Sequence, residues 1–149
     1  MKRFVISALL LCGASLSGDQ QPLQDLPDSP AELIETLKAA DKFYTIGMAS
    51  ADYVKESDIS HLIGLIDSKE PCAHVVLSIS SFIPSTRSTV GHEAAYLIEG
   101  FWKRYYPTRL VSSQYVPDIE DMKLWYRMWS NLKKSAGQAP PPHAPEPGR

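Results

Sequence analysis

Among the residues of this chain that could do chemistry, Cys72 offers a nucleophile, and His61, His74 and His92 offer bases or metal ligands. Cys72 and His74 stand two positions apart. On a helix such residues point about 200° apart, so they cannot act on each other. His61 or His92 could reach Cys72 across a fold, which would give a Cys–His hydrolase site. The plainer reading makes Cys72 a small hydrophobe on one stripe with Val75, Val76 and Ile79. His92-Glu93 opens like a zinc-protease helix, but Tyr96 stands where the second histidine belongs. The histidines show no ligand spacing, so neither a metal site nor any other cofactor is expected. His92 and Glu93 read instead as polar residues of a first helical turn, where the helix dipole favours the glutamate. Ser78, Ser80, Ser81, Ser85 and Ser88 lie in no Gly-x-Ser-x-Gly elbow, and residues 86–91 lack the glycines of a phosphate loop.

A second kind of chemistry is adhesive. Trp102-Lys103-Arg104-Tyr105-Tyr106 mixes cations with aromatic rings. Trp102, Tyr105 and Tyr106 are therefore the candidate binding residues, able to stack on a base, a sugar or a peptide. The alternative places Tyr105 in the core with the two cations on the surface. Trp125 and Trp129, one helical turn apart, read as core, and become a partner surface only if exposed. The chain carries a net charge of −2. Loss of Lys2 and Arg3 with a leader would take it near −4, which argues against a nucleic-acid partner.

The elements that would position these groups read mainly as helices. Ser29-Pro30-Ala31-Glu32 is a capping box with proline at the first helical position, followed by an apolar stripe of Leu33, Ile34, Leu37, Ala40 and, where the helix continues, Tyr44, with Gly47 marking its end. Residues 43–46 fit a short strand or a helix end equally well. Ile59, Leu62, Ile63, Leu65 and Ile66 predict a second helix after Ser57. Residues 71–81 are favoured as a third, because Pro71 suits a first turn and Cys72, Val75, Val76, Ile79 and Phe82 have helical spacing; the alternation of Val75, Leu77 and Ile79 keeps a strand open. A fourth helix is expected from about Ser88 to Tyr105, with Val90, Ala94, Leu97, Ile98, Phe101 and Tyr105 inward, stopped by Pro107. Residues 108–116 look extended, tied down by Leu110, Val111, Tyr115 and Val116. A fifth helix starts at an Asp118 cap and lines Met122, Trp125, Tyr126, Trp129 and Leu132 on one face. The expected fold is thus all-α, an irregular bundle or short stack of four to six helices.

The ends have a different composition. Lys2 and Arg3, the apolar run from Phe4 to Cys12, and the small residues from Gly13 to Gly18 have the three parts of a signal peptide. The reading divides the chain into a signal at 1–17, a polar lead-in at 18–28, a helical domain at 29–136 and a tail at 137–149. Five of the twelve prolines fall in that tail, which excludes a helix or sheet there. Leu9-Leu10-Leu11-Cys12 resembles a bacterial lipobox, departing at Leu11, where a small residue is usual. Lipidation of Cys12 would anchor the protein to a membrane; without it no membrane contact is expected. Cys72 is then the sole cysteine of the exported form, and the domain must stand on packing alone.

Leu-Ile-Glu or Leu-Ile-Gly recurs at Leu33, Leu62 and Leu97, with unequal spacing. Around the middle copy, Leu62, Leu65, Ile66 and Asp67, followed by Pro71 to Ile79, resemble a HEAT or armadillo-type helical repeat over roughly 25 residues. That family's basic residue early in its second helix is missing, since Cys72, Ala73 and His74 occupy the stretch. The resemblance implies a stacked helical surface that binds other proteins. The expected function is an exported, non-catalytic protein-interaction module, periplasmic or extracellular, of inhibitor or immunity type. The alternatives are a hydrolase using Cys72 and an envelope lipoprotein anchored at Cys12.

Overall fold

The computed structural model describes residues 25–136. The segment expected to be a signal, Cys12, most of the expected lead-in and the proline-rich tail lie outside the described residues. Helices dominate, at about 49% of the structure, and short strands accompany them, so the fold is not purely all-α.

The chain enters at α1 (Pro30–Ala39). The Ser29 side chain caps it by accepting from the Glu32 N–H (3.3 Å), and Leu33, Ile34 and Leu37 are buried. The helix ends at Ala39, well before Gly47, because Ala40 turns extended and leads into β1 (Phe43–Ile46). The ambiguous segment is therefore a strand. Next comes α2 (Glu56–Leu65), whose entry is fixed by the Lys55 N–H donating to Asp58 Oδ2 (2.8 Å).

The largest departure from the sequence reading lies at residues 71–81, which form no helix. Pro71–Cys72 is β2 and His74–Leu77 is β3, so the second helix that the repeat resemblance implied over 71–79 is absent. All four residues of β3 are buried, His74 and a short apolar run covered on both faces, and its β-branched pair suits a strand. The supposed stripe is broken: Ile79 and Phe82 are exposed while Cys72 and Val75 are not. Strand β3 runs parallel to β1, with Phe43 opposite His74 and Ile46 opposite Leu77. Parallel pairing demands a crossover, and α2 lies within it. β2 pairs antiparallel with β4 (Ser88–Thr89), where proline is tolerated because it opens a short strand.

α3 (Val90–Lys103) is the central helix. From Val90 to Phe101 every residue except His92 is buried, as expected of a helix covered on all sides. It packs on α2 so closely at Gly91 that a Cβ there would lie 2.5 Å from the Ile66 carbonyl oxygen and 2.7 Å from that of Ser68. Arg104 adopts a left-handed conformation (φ 55°) and ends the helix sooner than expected. The turn changes which tyrosine faces inward: Tyr105 is 53% exposed and Tyr106 is 2% exposed.

Beyond Pro107 the chain crosses β3 through a single bridge between Val76 and Val111, then makes a 3₁₀ turn at Ser112–Gln114. Val111 and Tyr115 hold this segment; Leu110 and Val116, expected to help, are exposed. α4 (Ile119–Ala136) is capped by Asp118 Oδ1, which accepts from the Asp121 N–H (3.0 Å). Trp125 and Trp129 stack on each other (5.5 Å between ring centres), Trp125 also stacks on Trp102 of α3, and Phe101 meets both edge to face. Polar ties fasten α4 to α2 and the turn after it: Lys123 with Asp67 (2.7 Å), Tyr126 with Ser60 (3.1 Å) and Lys133 with Glu56.

Candidate functional site

A buried polar node joins β3, the first turn of α3 and the 3₁₀ turn. Its centre is Ser112, fully buried beside the fully buried Glu93 and the 6% exposed His74. Ser112 Oγ donates to Glu93 Oε1 (2.7 Å), and the Val75 N–H donates to Ser112 Oγ (3.1 Å). His74 Nδ1 lies 3.0 Å from the same hydroxyl and 3.3 Å from Glu93 Oε1. Because the hydroxyl proton is committed to the carboxylate, Nδ1 is the donor of the pair. His92 Nε2 donates to the Ser112 carbonyl (2.9 Å). The two imidazoles meet edge to face, 6.0 Å between centres.

Each member is placed by local structure. His74 is the first residue of β3, held in register by its N–H donating to the Lys42 carbonyl (2.8 Å). Thr89 caps α3 by accepting from the His92 N–H, which fixes His92 and Glu93 in the first turn. One ring nitrogen of each histidine and one carboxylate oxygen of Glu93 lie within 4.8 Å of one another. Glu93 Oε2 is buried without a hydrogen-bond partner among the described residues.

The node opens into a cleft of about 310 Å³ lined by His74, His92, Arg87, Ser88, Thr89, Thr86 and Ser113. The Arg87 guanidinium forms one wall. Its Nη2 donates to the carbonyls of Lys38, Ala40 and Pro71 (3.2–3.4 Å), clamping the α1–β1 turn to β2.

Of the residues singled out from sequence, His74, His92 and Glu93 meet in the node, and the others are dispersed. Cys72 is fully buried in β2, and burial, with Glu93 adding to it, pushes its thiol up to about 12. Held protonated and away from solvent, it has the character of a core residue rather than a nucleophile. His61 is exposed on α2. His92 faces the cleft. Trp102 is half-buried against Trp125 (5.6 Å between ring centres), and Tyr106 is packed on Tyr53 (5.2 Å), so of the three candidate binding residues Tyr105 alone is well exposed. Cys12 lies outside the described residues.

Sequence spacing missed the node because its members come from three elements: His74 is 38 positions from Ser112, and Glu93 is 19. The available signal was weaker than a motif: a histidine inside the apolar run 72–77 and a glutamate inside the apolar run 90–98.

Comparison with known proteins finds no matching family model, no matching curated protein and no matching solved structure. No helix among the described residues is long and apolar enough to cross a membrane.

Proposed function

We propose that this protein is an exported, non-catalytic protein-interaction module of the cell envelope, and that it docks an acidic amphipathic segment of a partner protein on the outer face of α4. The observation that carries this reading is a row of three apolar side chains one helical turn apart. Leu124, Met128 and Leu132 are 49%, 54% and 48% exposed. They border the buried tryptophans of the same helix, so α4 is apolar well beyond the face its own core uses. The sequence reading placed Leu132 on the inward face; it belongs to this outer row instead.

The flanks point to the sign of the partner. Arg127 and Lys134, both exposed, lie along one edge of the row and make no ion pair among the described residues. A partner with apolar residues at helical spacing and carboxylates beside them would fill the row and meet these cations. An inhibitor or an immunity protein would work in this manner, by occupying a surface without chemistry of its own.

The test is site-directed photo-cross-linking from position 128 in the exporting cell, beside pull-downs with Met128→Asp and Arg127→Glu. A cross-link to an acidic, helix-forming segment of one protein is expected, with recovery lost in Met128→Asp, weakened in Arg127→Glu and the melting temperature unchanged in both. Equal recovery by Met128→Asp would end the proposal, as would cross-links confined to a second copy of this chain. The mass of the mature protein reads the export step: a chain starting at Ser15 or Gly18 supports cleavage, and a diacylglyceryl adduct on Cys12 would make the module a tethered lipoprotein.

A further inference from the structure

We propose that His74, His92 and Glu93 bind a divalent transition metal of the zinc class at the inner end of the cleft, with Ser112 as the positioning residue. The site is independent of the α4 surface and of the docking reading.

Three observations meet here. The first is proximity: two imidazole nitrogens and a carboxylate oxygen lie within 4.8 Å of one another, although their residues come from β3 and from the start of α3. Ligands of a tetrahedral zinc ion, bound at about 2.0–2.1 Å, stand roughly 3.3 Å apart. The distance to close is one that side-chain movement can cover.

The second is an imbalance of charge. Glu93 is fully buried, and no lysine or arginine of the described residues pairs with it. A buried carboxylate requires compensation. Oε1 receives the Ser112 hydroxyl, with His74 nearby, but Oε2 receives nothing from the described residues. A cation would supply what this oxygen lacks.

The third is orientation. A histidine that ligates a metal holds its other ring nitrogen in a hydrogen bond, which fixes the ring and the tautomer. Both histidines have that bond, and both make it to Ser112: His74 Nδ1 to the hydroxyl and His92 Nε2 to the carbonyl. His74 Nε2 and His92 Nδ1 make no bond to Ser112, and a turn of the His74 ring, whose Nδ1 stands 3.3 Å from Glu93 Oε1, would bring its free nitrogen to the ion. Ser112 thus holds two imidazoles and a carboxylate at once.

The donor set of two nitrogens and one oxygen selects the ion. Magnesium and calcium favour shells of oxygen, whereas imidazole with a single carboxylate suits zinc, cobalt and their neighbours. Three protein ligands leave a position open toward the cleft, where water or an anionic ligand can bind.

The experiment titrates Co2+ into the chelator-stripped protein and follows the visible d–d bands, then displaces it with Zn2+. Uptake of one equivalent is expected, with a rise in melting temperature. His92→Ala and Glu93→Gln should each weaken binding at least about tenfold. Ser112→Ala should weaken it while leaving the Co2+ spectrum in place, the signature of a residue that acts through the ligands. His61→Ala and His143→Ala should bind as the parent does, as should Met128→Asp, which separates this site from the docking face. Far-UV circular dichroism establishes that the His92→Ala chain is folded. The proposal is overturned if the folded parent takes up no Co2+, or if uptake survives His92→Ala and is lost with His61 or His143.

Discussion

Ser112 Oγ serves three partners at once, the Glu93 carboxylate, the His74 ring and the Val75 N–H, and it does so with no water-accessible surface. A hydroxyl in such a place is costly to remove, because the groups it satisfied remain buried. Ser112→Ala in the metal-free protein is expected to lower stability by about 2–4 kcal/mol, read as a reduced urea midpoint with an unchanged slope. A loss within a few tenths of a kcal/mol would show that the three partners find substitutes. Cys72 stands at the opposite extreme: its surroundings suppress rather than exploit its chemistry.

At the scale of elements, the junction between α2 and α3 sets the geometry of the node. The Gly91 N–H donates to the Ser68 carbonyl (3.1 Å), and the Val90 N–H to that of Glu70 (2.9 Å), so the start of α3 is seated directly on the turn that leaves α2. All three close contacts of a Cβ at position 91 would be with backbone atoms, two of them oxygens, which cannot rotate away. Gly91→Ala is therefore expected to destabilise by about 1–3 kcal/mol, despite the better helix propensity of alanine, which is worth only about 1 kcal/mol in the other direction. Thermal melting measures it; a stabilised Gly91→Ala would mean that α3 does not sit this close to α2. The shift of α3 would also move His92 and Glu93 away from His74.

For the molecule as a whole, the consequential groups are acids buried in their neutral form. Burial raises Tyr53, Tyr96, Tyr106 and Tyr115 above the ordinary tyrosine value of 10.0, and Cys72 from 9.0 to about 12. The unfolded chain ionises these groups at their ordinary values while the folded chain keeps them protonated. Below about pH 8 they titrate in neither state and their contribution is constant. Above it the unfolded state releases protons first, so stability falls as pH rises from about 8 through 12. Melting temperature against pH is expected to be flat between pH 7 and 8 in this respect and to drop steeply beyond about 10, with the share of the 295 nm tyrosinate absorbance that belongs to Tyr53, Tyr96, Tyr106 and Tyr115 appearing only as the chain unfolds. Tyrosinate absorbance that develops fully in the folded protein near pH 10 would contradict the burial of these rings.

Local signals in the sequence determined the helix starts. Ser29 with Pro30, and Asp118, act within one turn and need nothing from the rest of the molecule, so α1 and α4 begin where their caps stand. The inward set Leu33, Ile34 and Leu37, and the tryptophan stripe of α4, were legible for the same reason: a 3.6-residue period is written into the chain itself. Residues 72–77 were not, because a short apolar run is compatible with a strand or a helix, and β1, which β3 pairs with, lies about thirty positions earlier. The inward turn of Tyr106 depended on a left-handed Arg104 that no residue type announces. The node of His74, Glu93 and Ser112 was beyond any spacing rule, since only the stacking of α3 on α2 and the Val76–Val111 bridge bring its three segments together. Periodicity and capping are local energies that a sequence states directly; the meeting of distant side chains is set by which faces can be buried together, and that is a property of the whole fold.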